Sequence, residues 1–269
     1  MEHLVFLGSE KYPYKGVLDN LANRAFSTGT NAWTDTDHTA YTVETAGEQG
    51  FLQLLPVYVD HILYPTLTDS GFVTEVHHIN HKGEDAGVVY SEMQGRENTP
   101  GDLAALQQRR LFYPPTSAYR SETGGLMKAL RNLTIDESGS ICRTIRQSLN
   151  LKPLVRKYHA SYYVPHNLCL IVSGKLSIEA LLNTIQQEIE PRIKVHNQAH
   201  GPRPAGWRRP FMETPSIEVA KILEPVQDIV EFPEHEETIG EVQISFVGPT
   251  VTEYGDQKVI SSIHICMMD

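Results

Sequence analysis

A chain of 269 residues is long enough for one large domain or two smaller ones, and its 40% hydrophobic content suffices to bury a core. The net charge of −10 argues against a nucleic-acid binder that works through phosphate contacts. Cys142, Cys169 and Cys266 share no short spacing, so reduced thiols are expected rather than a disulfide framework or a Cys-x-x-Cys zinc site. That usage fits a reducing compartment, cytoplasmic by expectation with the mitochondrion as the alternative. No uninterrupted apolar run reaches the length of a transmembrane span, and no basic-then-apolar leader is visible.

Residues 3–9 read as the end of an apolar helix stopped near Gly8, and Lys15 to Ala25 as a second helix with Val17, Leu18, Leu21 and Ala22 at helical spacing. Asn31 to Glu44 reads as strand, because β-branched residues are dense and Thr39, Tyr41 and Val43 alternate with their neighbours. Gly47 to Ile62 predicts a helix ended by Pro65. Phe72 to His81, Asp85 to Asn98, part of Ser121 to Leu133, and Leu154 to Tyr163 read as further helical pieces. Leu168 to Val172 is short and wholly apolar, the pattern of a buried strand, and Ile178 to Ile189 is an amphipathic helix. Asn197 to Pro215 is too rich in Gly and Pro for a helix or central strand and reads as a linker. Strands are expected at Asp228 to Phe232 and Glu241 to Val247, and a helix from near Asp256. The expected division is residues 1–195, a linker at 196–225, and the start of a second domain at 226–269.

Chemistry is concentrated at the start. Glu2-His3 on an apolar helix is the back half of an H-x-x-E-H zinc-site pattern. In that pattern two histidines one turn apart bind the metal, and the Glu beside the second takes a proton from zinc-bound water. A third ligand comes from elsewhere, and Glu92 is the candidate. Alone, such a dipeptide is more often a surface carboxylate beside a satisfied histidine. His77 and His81 also have metal spacing, but Asn80 and Gly83 break the local helix, so a surface or structural role is expected there. His38 and His61 read as packing or capping residues. Arg109-Arg110 and Arg208-Arg209 read as solvated pairs. There is no Gly-x-Ser-x-Gly elbow and no Gly-rich phosphate loop.

Several runs in register sharpen the reading of Glu2-His3. They are Gly8-Ser9-Glu10-Lys11-Tyr12-Pro13, Gly29-Thr30-Asn31-Ala32-Trp33-Thr34, His38-Thr39-Ala40-Tyr41, Gly87-Val88-Val89-Tyr90-Ser91-Glu92-Met93, and Tyr162-Tyr163-Val164-Pro165-His166-Asn167-Leu168 followed by Gly174. In order, over roughly residues 2–260, they resemble the pitrilysin/insulysin family of inverzincin zinc metallopeptidases, most closely its presequence-protease-like branch. The resemblance implies an α+β fold, a two-layer sandwich of a mostly antiparallel sheet covered by helices, with part of a second domain of the same type. It implies Zn2+ as cofactor, Glu2 as catalytic base, His3 and Glu92 as zinc ligands, and Asp85 as a carboxylate supporting a ligand. It further implies that Asn31, Ala32, Trp33 and Thr34 form an edge strand to which extended peptide substrates add. Trp33 is equally well described as a half-buried aromatic.

The pattern departs from the family in three places. The first zinc histidine would fall two residues before Met1. Residues 138–153 look inserted, either as a loop or as a gene-model artefact. Family enzymes are four-domain chains far longer than this one. The chain as written is therefore expected to hold no stoichiometric zinc and to lack useful peptidase activity, whereas the longer parent is expected to be a zinc metalloendopeptidase. The alternative is a non-catalytic family member that acts as a scaffold or peptide-binding subunit.

Overall fold

The computed structural model describes residues 1–133, 155–200, 203–209, 224–233, 239–246 and 263–268. A 3-10 helix, Glu2–Leu7, opens the chain and buries Leu4 and Val5. It is tighter than the expected α-helix and ends at Gly8, whose φ of 129° is open only to glycine. Helix α1 (Val17–Arg24) follows, then strands β1 (Thr30–Thr34) and β2 (Thr39–Val43), an antiparallel hairpin pairing Thr34 with Thr39 and Trp33 with Ala40.

Helix α2 (Glu48–Leu63) is the centre of the fold. Its second half is buried on every side, as an apolar helix inside a globule must be. One face carries Leu54, Val57 and Tyr58 against Leu18 and Ala22 of α1, with Tyr41 of β2 packed alongside. The other carries Leu55, Val59 and Leu63 against Ile189. A third cluster joins Leu4, Leu67, Phe72, Val76, Tyr90, Met93, Leu130 and Val155 beneath the candidate site.

The segment expected to be helical over 72–81 divides. Helix α3 (Asp69–Glu75) is capped by Thr68, whose hydroxyl accepts from Gly71 N–H at 3.1 Å. The chain then turns through a hairpin of two-residue strands, β3 (His78–Ile79) with β4 (Asp85–Ala86). Asp85 is thus strand, and helix α4 (Val88–Arg96) starts after it. Gly87 forces that boundary: its φ is 132°, and a Cβ there would stand 2.5 Å from the Val76 carbonyl oxygen. Helix α5 (Pro100–Phe112), absent from the sequence reading, has Thr99 as N-cap and Pro100 in its first turn. Arg109 on it is not simply solvated, since it pairs with Glu122 at 2.7 Å. Short α6 (Met127–Leu130) and α7 (Val155–Tyr162) complete this part.

Leu168–Val172 is not a strand. Leu170 and Ile171 are 43% and 85% exposed, and only Leu168 packs on the third face of the core, against the α2 cluster. An apolar run becomes a buried strand only when neighbours pair with it, and none does among the described residues. Helix α8 (Ile178–Thr184) continues through a π-helical turn, Ile185–Ile189, into α9 (Glu190–His200). The π turn lies just before Pro191, which has no N–H to continue the ladder. The helix therefore runs past the expected linker start. Arg192 on α9 clamps the fold, donating to buried Asp60 of α2 at 2.8 Å and to Glu10 at 3.0 Å.

Residues 224–233 form no strand, whereas β5 (Ile239–Ile244) pairs antiparallel with β6 (Ile263–Met268). The helix expected from Asp256 meets strand from Ile263 onward, and its first part lies outside the described residues, as does the apparent insertion at 138–153. The described sheets are all two-stranded and antiparallel, so the fold is mixed helix with small sheets. No helix among the described residues is long and apolar enough to cross a membrane.

Candidate metal centre

Four elements converge on His3. The opening 3-10 helix presents Glu2 and His3 while Leu4 beside them, 1% exposed, anchors the turn in the core. Helix α4 brings Glu92, whose Oε2 lies 3.5 Å from His3 Nε2. Helix α3 brings Glu75, whose Oε2 lies 3.8 Å from His3 Nδ1. Strand β1 brings Thr34, whose hydroxyl donates to Glu2 Oε2 in a short hydrogen bond. The two carboxylates differ in setting: Glu92 is half exposed, while Glu75 is buried and paired with Lys15 Nζ at 3.0 Å.

The ring of His3 is therefore flanked by a carboxylate at each nitrogen, at ion-pair separation rather than in a close hydrogen bond. Two donors on one tetrahedral zinc, each about 2.0–2.2 Å from the metal, stand roughly 3.3–3.6 Å apart. The His3–Glu92 separation of 3.5 Å fits two such positions. No cluster of three or more His, Cys, Asp or Glu residues able to hold a metal occurs among the described residues. The donors present thus match part of a catalytic zinc set, which usually has three protein ligands.

Glu75 is the residue that sequence reading missed here. Its only sequence signal was its place at the end of an apolar helical face, and what brings it to His3 is the packing of α3 on the opening turn. Asp85 has other partners. It accepts from His77 Nε2 at 2.7 Å, from the Tyr90 hydroxyl at 3.1 Å and from Arg131 Nε at 2.9 Å. The Arg131 guanidinium, seconded by His77, holds the Asp85 carboxyl down at about 2. Through Tyr90 this cluster steadies α4, two residues before Glu92. His77 accordingly has a structural role. His61 is buried against Tyr12 and donates from Nδ1 to the Val57 carbonyl at 2.8 Å, and burial lowers its pKa.

Strand β1 is bonded to β2 on one edge only among the described residues. Asn31 and Trp33 are exposed, whereas Thr30, Ala32 and Thr34 are half-buried on the opposite face. The Ala32 N–H goes not to β2 but to the Asn31 side-chain oxygen, at 2.9 Å. The edge is thus capped by its own side chain.

Residues 1–94 match the family described as Insulinase (Peptidase family M16), a span running from the Glu2-His3 turn to just past Glu92. Residues 152–266 match the description Peptidase M16 inactive domain. An uncharacterized protein of Saccharomyces cerevisiae is 41% identical over 97% of this chain, which spans 23% of that protein. The mitochondrial presequence protease of Danio rerio is 27% identical over 79% of this chain, which spans 20% of it. Among solved structures, a protease from Helicobacter pylori is similar in fold, with a TM-score of 0.53 and 20% identity over 70% of this chain and 38% of that one. This chain is thus about a quarter or less of the length of the curated relatives it matches. Two matches to one family, at residues 1–94 and 152–266, place this protein in the peptidase M16 family, in keeping with its likeness to the presequence protease.

Proposed function

We propose that this chain carries part of the zinc centre of a metalloendopeptidase acting on extended peptides, with His3 and Glu92 as ligands and Glu2 as general base. The observation that supports this most is the 3.5 Å approach of His3 Nε2 to Glu92 Oε2, made by residues far apart in sequence, with Glu2 on the same turn. When bound, zinc supplies Lewis acidity that makes a water nucleophilic near neutral pH. Glu2 would serve as general base to the attacking water and then give the proton to the leaving amine. Glu75, held by Lys15, steadies the far side of the His3 ring. Asn31, Ala32, Trp33 and Thr34 receive the peptide as an added strand, which reads backbone rather than side-chain identity. For that the Asn31 side chain must leave the Ala32 N–H. The fold in this reading is a helix-covered antiparallel sandwich followed by part of a second domain.

Equilibrium dialysis at graded zinc concentrations tests the centre. His3→Ala and Glu92→Ala are expected to abolish the same binding event, and retention of that event in both variants defeats the assignment. A second reading, a peptide-binding subunit without turnover, is favoured by the two-donor set and by the match of residues 152–266 to an inactive domain. Binding of an unfolded peptide that survives both substitutions, with no hydrolysis in zinc-loaded protein, would select it. For the compartment, the cytoplasm is the first expectation and the mitochondrion the alternative, which the Danio rerio relative supports.

A further inference from the structure

Strand pairing decides what lies behind Glu2. The β1–β2 register sets Thr39 directly opposite Thr34, so both side chains project from the same face of the hairpin. The Thr34 hydroxyl donates to Glu2 Oε2, and the Thr39 hydroxyl donates to Thr34 Oγ1 at 3.4 Å. Tyr163, just beyond α7, lies 2.9 Å, hydroxyl to hydroxyl, from Tyr41 of β2. Each hydroxyl has one proton to give and lone pairs to receive with. With the Thr39 proton given to Thr34 and the Thr34 proton given to Glu2, both point toward the single carboxylate at the end of the row. Such a row polarises its members in one direction. It links both strands of the hairpin to one oxygen of Glu2.

We propose that Thr34, backed by Thr39, is a positioning residue that fixes the Glu2 carboxylate. The inference rests on the reading of Glu2 as the base for its functional meaning. It also separates two uses of one residue: the main chain of Thr34 serves the strand edge, and its hydroxyl serves Glu2. A register slip of one residue would send Thr34 to the other face and end the contact, so the hairpin register is itself part of the device.

The test is carried out on the full chain labelled with 13C at its glutamate carboxyls, with Thr34→Val, Thr34→Ser and Thr39→Val compared at one fixed pH. Val keeps the shape of Thr and removes the hydroxyl, and Ser keeps the hydroxyl. The Glu2 carboxyl signal is expected to move toward that of the exposed glutamates in Thr34→Val, to stay at the wild-type position in Thr34→Ser, and to shift by a smaller amount in Thr39→Val. A Glu2 signal unmoved by Thr34→Val, or moved equally by Thr34→Ser, overturns the proposal. The zinc titrations of His3→Ala and Glu92→Ala are independent of this readout. A Glu2 signal that follows the Thr34 hydroxyl in a chain whose zinc binding ignores both ligands upholds the positioning contact and removes the peptidase reading alone.

Discussion

Two histidine–carboxylate pairs flank helix α4, and they are built on opposite plans. His77 and Asp85 meet at 2.7 Å, and Asp85 is filled by further donors from Tyr90 and Arg131. His3 stands 3.5 Å from Glu92 and 3.8 Å from Glu75, contacts of ion-pair length rather than close hydrogen bonds. The closed pair serves to hold α4 in place. In the looser pair Glu92 is exposed and the His3 ring lies between two carboxylates, the arrangement on which the proposed zinc ligation rests. Residue type alone does not separate the two pairs; how closely each carboxylate is held by donors does.

The largest effect is expected from removing what the looser pair rests on. Leu4→Ala empties a fully buried position next to His3 and should cost about 3 kcal/mol in chemical denaturation. A loss well under 1 kcal/mol would show that the opening turn is not anchored through Leu4. Next, Glu75→Gln should weaken zinc binding by about 10–100-fold in competition with a chromophoric chelator, the usual cost of losing a group that orients a ligand. Unchanged affinity would mean that the looser pair depends on Glu92 alone.

The closed pair should answer to stability only. His77→Ala removes the bond to Asp85 and the ring contact with Tyr90, and should lower Tm by roughly 2–4 °C while leaving zinc binding as it was. A change in zinc affinity larger than the change in Tm explains would couple the two pairs and erase the distinction. The smallest effect is the acid response. The folded-state pKa of Asp85 is depressed, so its contribution is present above the ordinary carboxylate value and is lost as pH falls toward about 2. Buried His61 and half-buried His159 also have lowered pKa values, through desolvation. Below the ordinary histidine value, about 6.5, the unfolded chain takes up protons that the folded one refuses, so stability declines from there downward. Substituting His159 with Gln should flatten the upper part of that decline, and Asp85→Asn the lower. A denaturation profile unchanged between pH 7 and 5 in the parent chain would refute the histidine contribution.

Local patterns were legible where one element's own residues settle its form. The helical spacing of Val17, Leu18, Leu21 and Ala22 gave α1, the apolar run before Pro65 gave α2, and Gly8 marked the end of the opening turn. Expectations failed where a distant partner decides. Residues 168–172 carry a strand's composition and have no strand to pair with among those described, so Ile171 faces solvent. Asp85 lies in a β-bridge rather than a helix because the Val76 carbonyl crowds Gly87. Helix α5 escaped notice because only Leu106 on it is buried, leaving little apolar rhythm to read.

The same division runs through the site. Residue types and their chemistry are written in the sequence: a Glu-His dipeptide on an apolar turn, a distant helix bearing Glu92, a β-branched hairpin at 30–43, and an acidic composition. Tertiary structure decided which groups meet. It brought Glu92 and Glu75 to opposite nitrogens of His3, sent Asp85 into a filled cluster with Arg131, and used the strand register to stand Thr39 behind Thr34 and Thr34 behind Glu2. The physical reason is range. Propensity and spacing act over a few residues of one chain segment, whereas coordination distance, burial and the closing of a hydrogen-bond row depend on surfaces packed together from segments far apart.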